Sequence, residues 1–281
     1  MRQGEPISMG TEADGEVLAR ILITAKTYPT PSERHLETVC TAGVRLDTPA
    51  PEWVRLYPIS YRLLDYDLQF KKDQVVEVPI RARGSKDIRR ESFTPDITRL
   101  VSGEVIDSQR GKWTKRREML GPLIGATTTC ELIRANKDLP PHTLGPSLGL
   151  IKPKDVRVSV TKGKPWNQKQ QQKATRAATP TLFDEDYVRN ELEPQPYEMR
   201  IKYTCTDSAC KGHNQSLIDW EVGQAGRSWA NSYPADEIPE RLRAKWQSLF
   251  SDDKDAHLFV GNQLVHPRSF MGLGVWYPKK S

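Results

Sequence analysis

The chain has 281 residues, with 42 Lys and Arg against 36 Asp and Glu, a net charge of +6 and 37% hydrophobic residues. That length supports one large or two small domains with cores of their own, so the four cysteines are not needed as disulfide staples and read as thiols or metal ligands. No apolar run long enough for a transmembrane helix occurs, and the acidic start MRQGEPISMGTEADGE lacks the regions of an export signal, so a cytoplasmic protein away from membranes is expected.

Residues 1–18 read as a disordered tail. "ARILITAKTYP" is an apolar run ending at Tyr28-Pro29, the pattern of a buried strand. Ser32 is placed to cap a short helix through Leu36 and Val39. "WVRLYPI" and "QVVEVPIRAR" read as strands, with Pro58 and Pro79 putting them at an edge or bulge. Ile97, Leu100, Val101 and Val105 have helical spacing, and "TTTCELIRANKD" gives a short helix capped by Thr128 or Thr129. A Pro/Gly-rich loop leads to a strand at 156–160. The Gln-, Lys- and Thr-rich stretch 161–180 has almost no apolar periodicity and reads as a flexible basic loop or linker.

Beyond it "PYEMRIKYTC" and "SLIDWEVG" read as strands, and Ile238, Leu242, Trp246 and Leu249 define an amphipathic helix. "AHLFVGNQ" and "SFMGLGVWYP" close the chain as strands. The pattern predicts an α+β protein: a β-rich half over 19–160 with a curved sheet or small barrel, and an α+β half over 181–281 carrying a Cys/His metal-type loop.

That loop is Cys205-x4-Cys210-x2-His213, three zinc-type ligands from one excursion after a strand. A fourth ligand is not evident in the next twenty residues; Asp219 is the nearest oxygen ligand, and Cys40, Cys130, His257 and His266 are remote candidates. A structural zinc competes with an ordinary reduced-cysteine loop and with an iron–sulfur cluster built from all four cysteines. A catalytic zinc would leave the fourth position to water and use Asp219 and Glu221, expected on one face of a strand, as candidate catalytic groups. The deaminase and zincin signatures are absent. His35 and Cys40 lie five residues apart, a poor spacing for a base and its nucleophile, and Cys40 reads as a buried structural thiol.

Two basic segments, "RARGSKDIRRESF" and "SQRGKWTKRREM", interleave cations with aromatics. They predict a nucleic-acid groove formed by Arg81, Arg83, Arg89, Arg90, Lys112, Trp113, Lys115, Arg116 and Arg117, with the basic stretch around Trp166 nearby. The expectation is a nucleic-acid-binding protein with a structural zinc, DNA and RNA being undistinguished. A metal-dependent hydrolase or nuclease centred on Asp219 and Glu221 is the alternative, and a protein-interaction subunit using exposed tryptophans is a third. The lack of a recognisable catalytic set favours binding over an enzyme.

Overall fold

The computed structural model describes residues 15–140, 142–179 and 190–280. The first half holds β1 (Glu16–Lys26), β2 (Thr30–Ser32), β3 (Leu36–Arg45), β4 (Glu52–Ile59), β5 (Gln74–Ala82), β6 (Ser92–Pro95) and β7 (Val101–Val105). Strands pair in the order β1-β3-β4-β6-β5, and β5 pairs back onto β1, closing a five-stranded barrel. The β4–β6 pair is parallel and the others are antiparallel, which is the connectivity of the OB-fold barrel. β2 extends β3, and β7 lies beside β5 as an edge.

Alternation decides which side chains enter the barrel. Ala19, Ile21 and Ile23 of β1, Val54 and Leu56 of β4, and Val76, Val78 and Ile80 of β5 fill its core, and Tyr61 and Phe70 pack in with them. The intervening Leu22, Ala42 and Val44 are also buried, on the outside of the barrel. Strands apolar on both faces are why β1 reads as a continuous run rather than an alternation.

Two local expectations fail. Ser32 ends strand β2 instead of capping a helix, because β3 is rich in β-branched residues that pair across it, Thr38 with β2, Val39 with β4, and Thr41 and Val44 with both β1 and β4. Val101 to Val105 form strand β7, not a helix; the Val, Ser, Gly sequence there has weak helix propensity and pairs with β5. Of the expected tail, residues 1–14 lie outside the described residues and Glu16 to Leu18 already belong to β1.

The second half contains α1 (Thr114–Leu120), β8 (Ile124–Thr127), α2 (Thr129–Ala135), β9 (Leu148–Ile151), β10 (Pro153–Lys162), α3 (Gln168–Ala178), β11 (Tyr197–Cys205), β12 (His213–Leu217), α4 (Trp220–Ala230), α5 (Ile238–Ser248), β13 (His257–Gln263) and β14 (His266–Trp276). Its seven strands run in the order β10-β11-β12-β14-β13-β9-β8. Because β8 and β9 pair into this sheet, the division between halves falls between β7 and β8, not at 161–180. Within that supposed linker, 168–178 is helix α3, started by an Asn167/Gln170 capping box and seated on two buried alanines, Ala174 and Ala177. Alanines bury too little surface to register as an apolar stripe.

Helices α4 and α5 cover one face of the second sheet, where Val222, Ile238, Leu242 and Trp246 meet Met199, Ile201, Leu217 and Leu258. The other face packs on the barrel. Leu148, Leu150, Phe259, Leu273 and Trp276 join Leu22, Ala42 and Val44 in one shared core, with Trp113 edge-on to Trp276 at 4.8 Å. The two halves therefore share buried apolar surface.

Candidate metal centre and ligand cleft

The β11–β12 hairpin carries the Cys/His loop. Cys205 ends β11, His213 opens β12 opposite Tyr203, and Gly212 takes φ +95° in the turn between them. The fourth ligand comes from the remote candidate Cys130, on the first turn of α2. A capping box between Thr128 and Glu131 fixes that helix start and sets Cys130 against the hairpin. The ligand atoms of Cys130, Cys205, Cys210 and His213 all lie within 4.8 Å of one another. His213 Nε2 stands 3.3 Å from Cys210 Sγ and 3.5 Å from Cys130 Sγ. Ordinary zinc–sulfur and zinc–nitrogen bonds at tetrahedral angles put such atoms about 3.6 Å apart, so the four side chains fit one tetrahedral ion.

The local electrostatics fit as well. Burial, reinforced by Cys205 and Cys210 beside it, pushes the Cys130 thiol up to about 12. Three crowded thiols ionise together only around a cation. Burial opposes ionisation of Cys210 too, but the backbone N–H groups of Cys205 and Gly212, donating to its sulfur at 3.3 and 3.4 Å, hold it below its usual value. Burial lowers the His213 pKa against the pull of Asp207, favouring the neutral imidazole a metal needs. Asp207 binds Arg134 of α2 at 2.6 Å, a second link between hairpin and helix. Cys40, which a four-cysteine cluster would require, lies outside the group and accepts from Arg55 at 3.1 Å. His257 and His266 are outside it too.

Asp219 and Glu221 do not share a strand face. Asp219 is the N-cap of α4, accepting from the Glu221 backbone N–H at 3.0 Å, because Asp before Trp-Glu-Val starts a helix better than it continues β12. Lys72 lies 3.7 Å from Asp219 and 3.2 Å from Glu221. Burial raises the Asp219 pKa to about 6 although Lys72 opposes it. Among the described residues no third metal ligand joins these carboxylates. This corner instead joins the halves: Lys72 pairs with both carboxylates, and the backbone of Thr27 bridges to that of Asp219 while Tyr28 N–H donates to Ile218 O.

The basic residues expected to form one groove are dispersed. Trp113 is 5% exposed and Arg116 7%, the latter paired with Asp73 at 2.7 Å and stacked on Trp113. Both serve the shared core. Arg117 pairs with Asp255, Lys115 with Glu104, and Arg81 lies near Glu16. Arg90 and Lys112 are exposed. Arg83 and Arg89, however, reach a different place. They line a cleft of about 380 Å³ between the β3–β4 face of the barrel and the β13–β14 hairpin, together with Cys40, Arg55, Tyr57 and Asp87. A second cleft of about 350 Å³ shares Thr27, Ile218, Gln263 and Met271 with it and continues to Lys164, Trp166 and Glu198. Sequence reading missed Arg55 and Tyr57, whose strand positions looked structural; their outward parity on β4, opposite to Val54 and Leu56, was the available signal.

An OB-type barrel sharing a core with a helix-covered sheet, with a Cys₃His centre at the sheet's far side from the barrel core, defines the class of protein. The chain belongs to the family described as domain of unknown function DUF8757, whose model matches residues 125–281. The model of a second domain of unknown function, DUF8758, matches residues 17–122. The two matched segments meet where the two sheets divide. No curated protein matches the chain.

Proposed function

We propose that the protein binds single-stranded nucleic acid in the cleft on the β3–β4 face of its barrel and the second cleft that adjoins it, and that the Cys₃His centre holds a structural zinc. The observation that carries the first part is the position of the groove. Strands two and three of an OB barrel and its flanking loops are where that fold takes oligonucleotides, and here that face bears Arg55 and Tyr57 with Arg83 from the β5–β6 loop. Lys164 and half-buried Trp166 extend the same surface. Cations for phosphates and aromatic faces for bases are the two requirements of sequence-tolerant strand binding.

Zinc is favoured over iron because three thiolates and one imidazole make a closed tetrahedral set with no place reserved for water. Its role is to pin α2 to the β11–β12 hairpin. The nuclease alternative loses its basis in Asp219 and Glu221, which are committed to a helix cap and to Lys72.

Purified protein analysed for metals and for the 260/280 nm absorbance ratio tests both parts together. One zinc per chain with co-purifying nucleic acid is expected. Iron, or no metal, contradicts the zinc assignment; a clean protein that also fails to retain added single strands contradicts nucleic-acid binding.

A further inference from the structure

The arginines of the cleft are not equally committed. Arg89 is bidentate on Asp87 at 2.6 and 2.9 Å and gives its remaining nitrogen to Asn262 O at 3.0 Å. Arg83 donates from Nη1 to Tyr57 O at 2.6 Å and to Thr94 Oγ1 at 3.3 Å, lies over the Tyr57 ring, and has its Nε 3.9 Å from Asp87 with no hydrogen-bond partner. Arg55 is only 4% exposed. Its Nη1 meets Cys40 Sγ at 3.1 Å and its Nη2 meets Ser147 O at 3.2 Å, while its Nε has no partner. Among the described residues no carboxylate pairs with it within salt-bridge distance; Nη2 also donates to the Ser147 hydroxyl at 3.4 Å, and that hydroxyl, not the guanidinium, donates to Glu91.

A buried guanidinium left without a counter-charge is expensive, and sulfur and neutral oxygens are weak compensation. The cleft thus sets three guanidiniums against Asp87, and Asp87 is taken by Arg89. Two guanidiniums that line one concavity, each keeping a buried Nε that no acceptor meets, suit a planar or tetrahedral oxyanion.

We propose that this end of the groove is a phosphate subsite, where one phosphate group is held between Arg55 and Arg83 and its sugar or base leans on Tyr57. The source of the phosphate rests on the nucleic-acid reading; the arginine geometry does not. Cys40 serves as a positioning residue, orienting Arg55 through its sulfur.

Thermal unfolding of the full-length protein, with potassium phosphate replacing potassium chloride at constant ionic strength, separates the two. The wild type should show a saturable rise in Tm, and Arg83→Gln should lose it. Arg83→Gln should also bind a single-stranded 12-mer about tenfold or more weakly, as expected for one charged hydrogen bond. Arg55→Gln should behave alike; if it does not fold, Arg83→Gln alone decides. No phosphate-dependent rise in the wild type, or the same rise in Arg83→Gln, overturns the subsite. An Arg83-dependent phosphate effect without oligonucleotide binding keeps the subsite and sinks the nucleic-acid reading. Oligonucleotide binding with equal affinity in both proteins does the reverse.

Discussion

Cys130 shows how one residue converts a loop into a centre. Cys205, Cys210 and His213 come from a single hairpin and need no tertiary fold to be neighbours, whereas Cys130 arrives from 75 positions upstream of Cys205 through a capped helix. That separation is why spacing alone revealed three ligands and left the fourth among several candidates. Cys130→Ser should therefore cost more than a cavity. Metal content should fall from one to well below one per chain, and Tm should drop by more than about 5 °C, because a structural metal's binding energy is folding energy. Full metal retention with an unchanged Tm would show that Cys130 is not a ligand. Side-chain environment likewise separates residues that looked alike in sequence. Arg83 and Arg116 both sit in basic runs, but Arg116 is enclosed by Asp73, the Ile106 carbonyl and Trp113, and Arg83 opens on the cleft.

Helix caps are only partly legible: Ser32 caps nothing, whereas Asn167 and Asp219 cap helices where a linker and a strand are expected. Thr128, a helix start by its place in the sequence, forms its capping box with Glu131. The sequence SLIDWEVG puts Asp219 and Glu221 on one strand face, but the strand stops at Leu217 and the Asp219 carboxylate accepts from the N–H of Glu221. Since Asn caps as well as Asp, Asp219→Asn should keep α4 and remove the titration, leaving Lys72 paired with Glu221. The buried carboxyl ionises near pH 6 in the fold and near 3.8 when unfolded, so between those values the native state holds a proton the unfolded chain has lost. Its contribution to stability falls as pH rises through that window. Urea unfolding across pH 4 to 6 should therefore slope less steeply downward with pH in Asp219→Asn than in the wild type; identical slopes would refute the assignment. Elements without large apolar residues were the illegible ones. α3 rests on alanines and a polar cap, and β7 has all its residues exposed, so neither carries the burial pattern that sequence reading relies on. The long amphipathic helix α5, with Ile238, Leu242 and Trp246 buried, was read correctly for the opposite reason.

At the scale of the whole molecule, the β-rich first half, the barrel and the metal-type loop in an α+β second half follow from patterns visible in the chain, but the way the halves share a core does not. Outward-facing Leu22, Ala42 and Val44 have no partner that local sequence can name; only the second sheet supplies one. Trp276, almost fully buried at that junction, is the sharpest test of it. Trp276→Ala should cost about 3–5 kcal/mol in urea unfolding, with the two halves still melting together. A cost below about 1 kcal/mol would mean the interface is not a core. The same junction builds the groove, since the β13–β14 hairpin of one half walls the barrel face of the other. Anisotropy of a labelled single-stranded oligonucleotide over a series of salt concentrations reads binding in that groove. Affinity should fall steeply with salt, and replacing Arg83 and Lys164 together by Gln should flatten the log–log slope by about 1.4, the share of two phosphate contacts, while Lys112→Ala leaves it unchanged. No measurable binding, or a slope that the double replacement does not alter, would contradict the account.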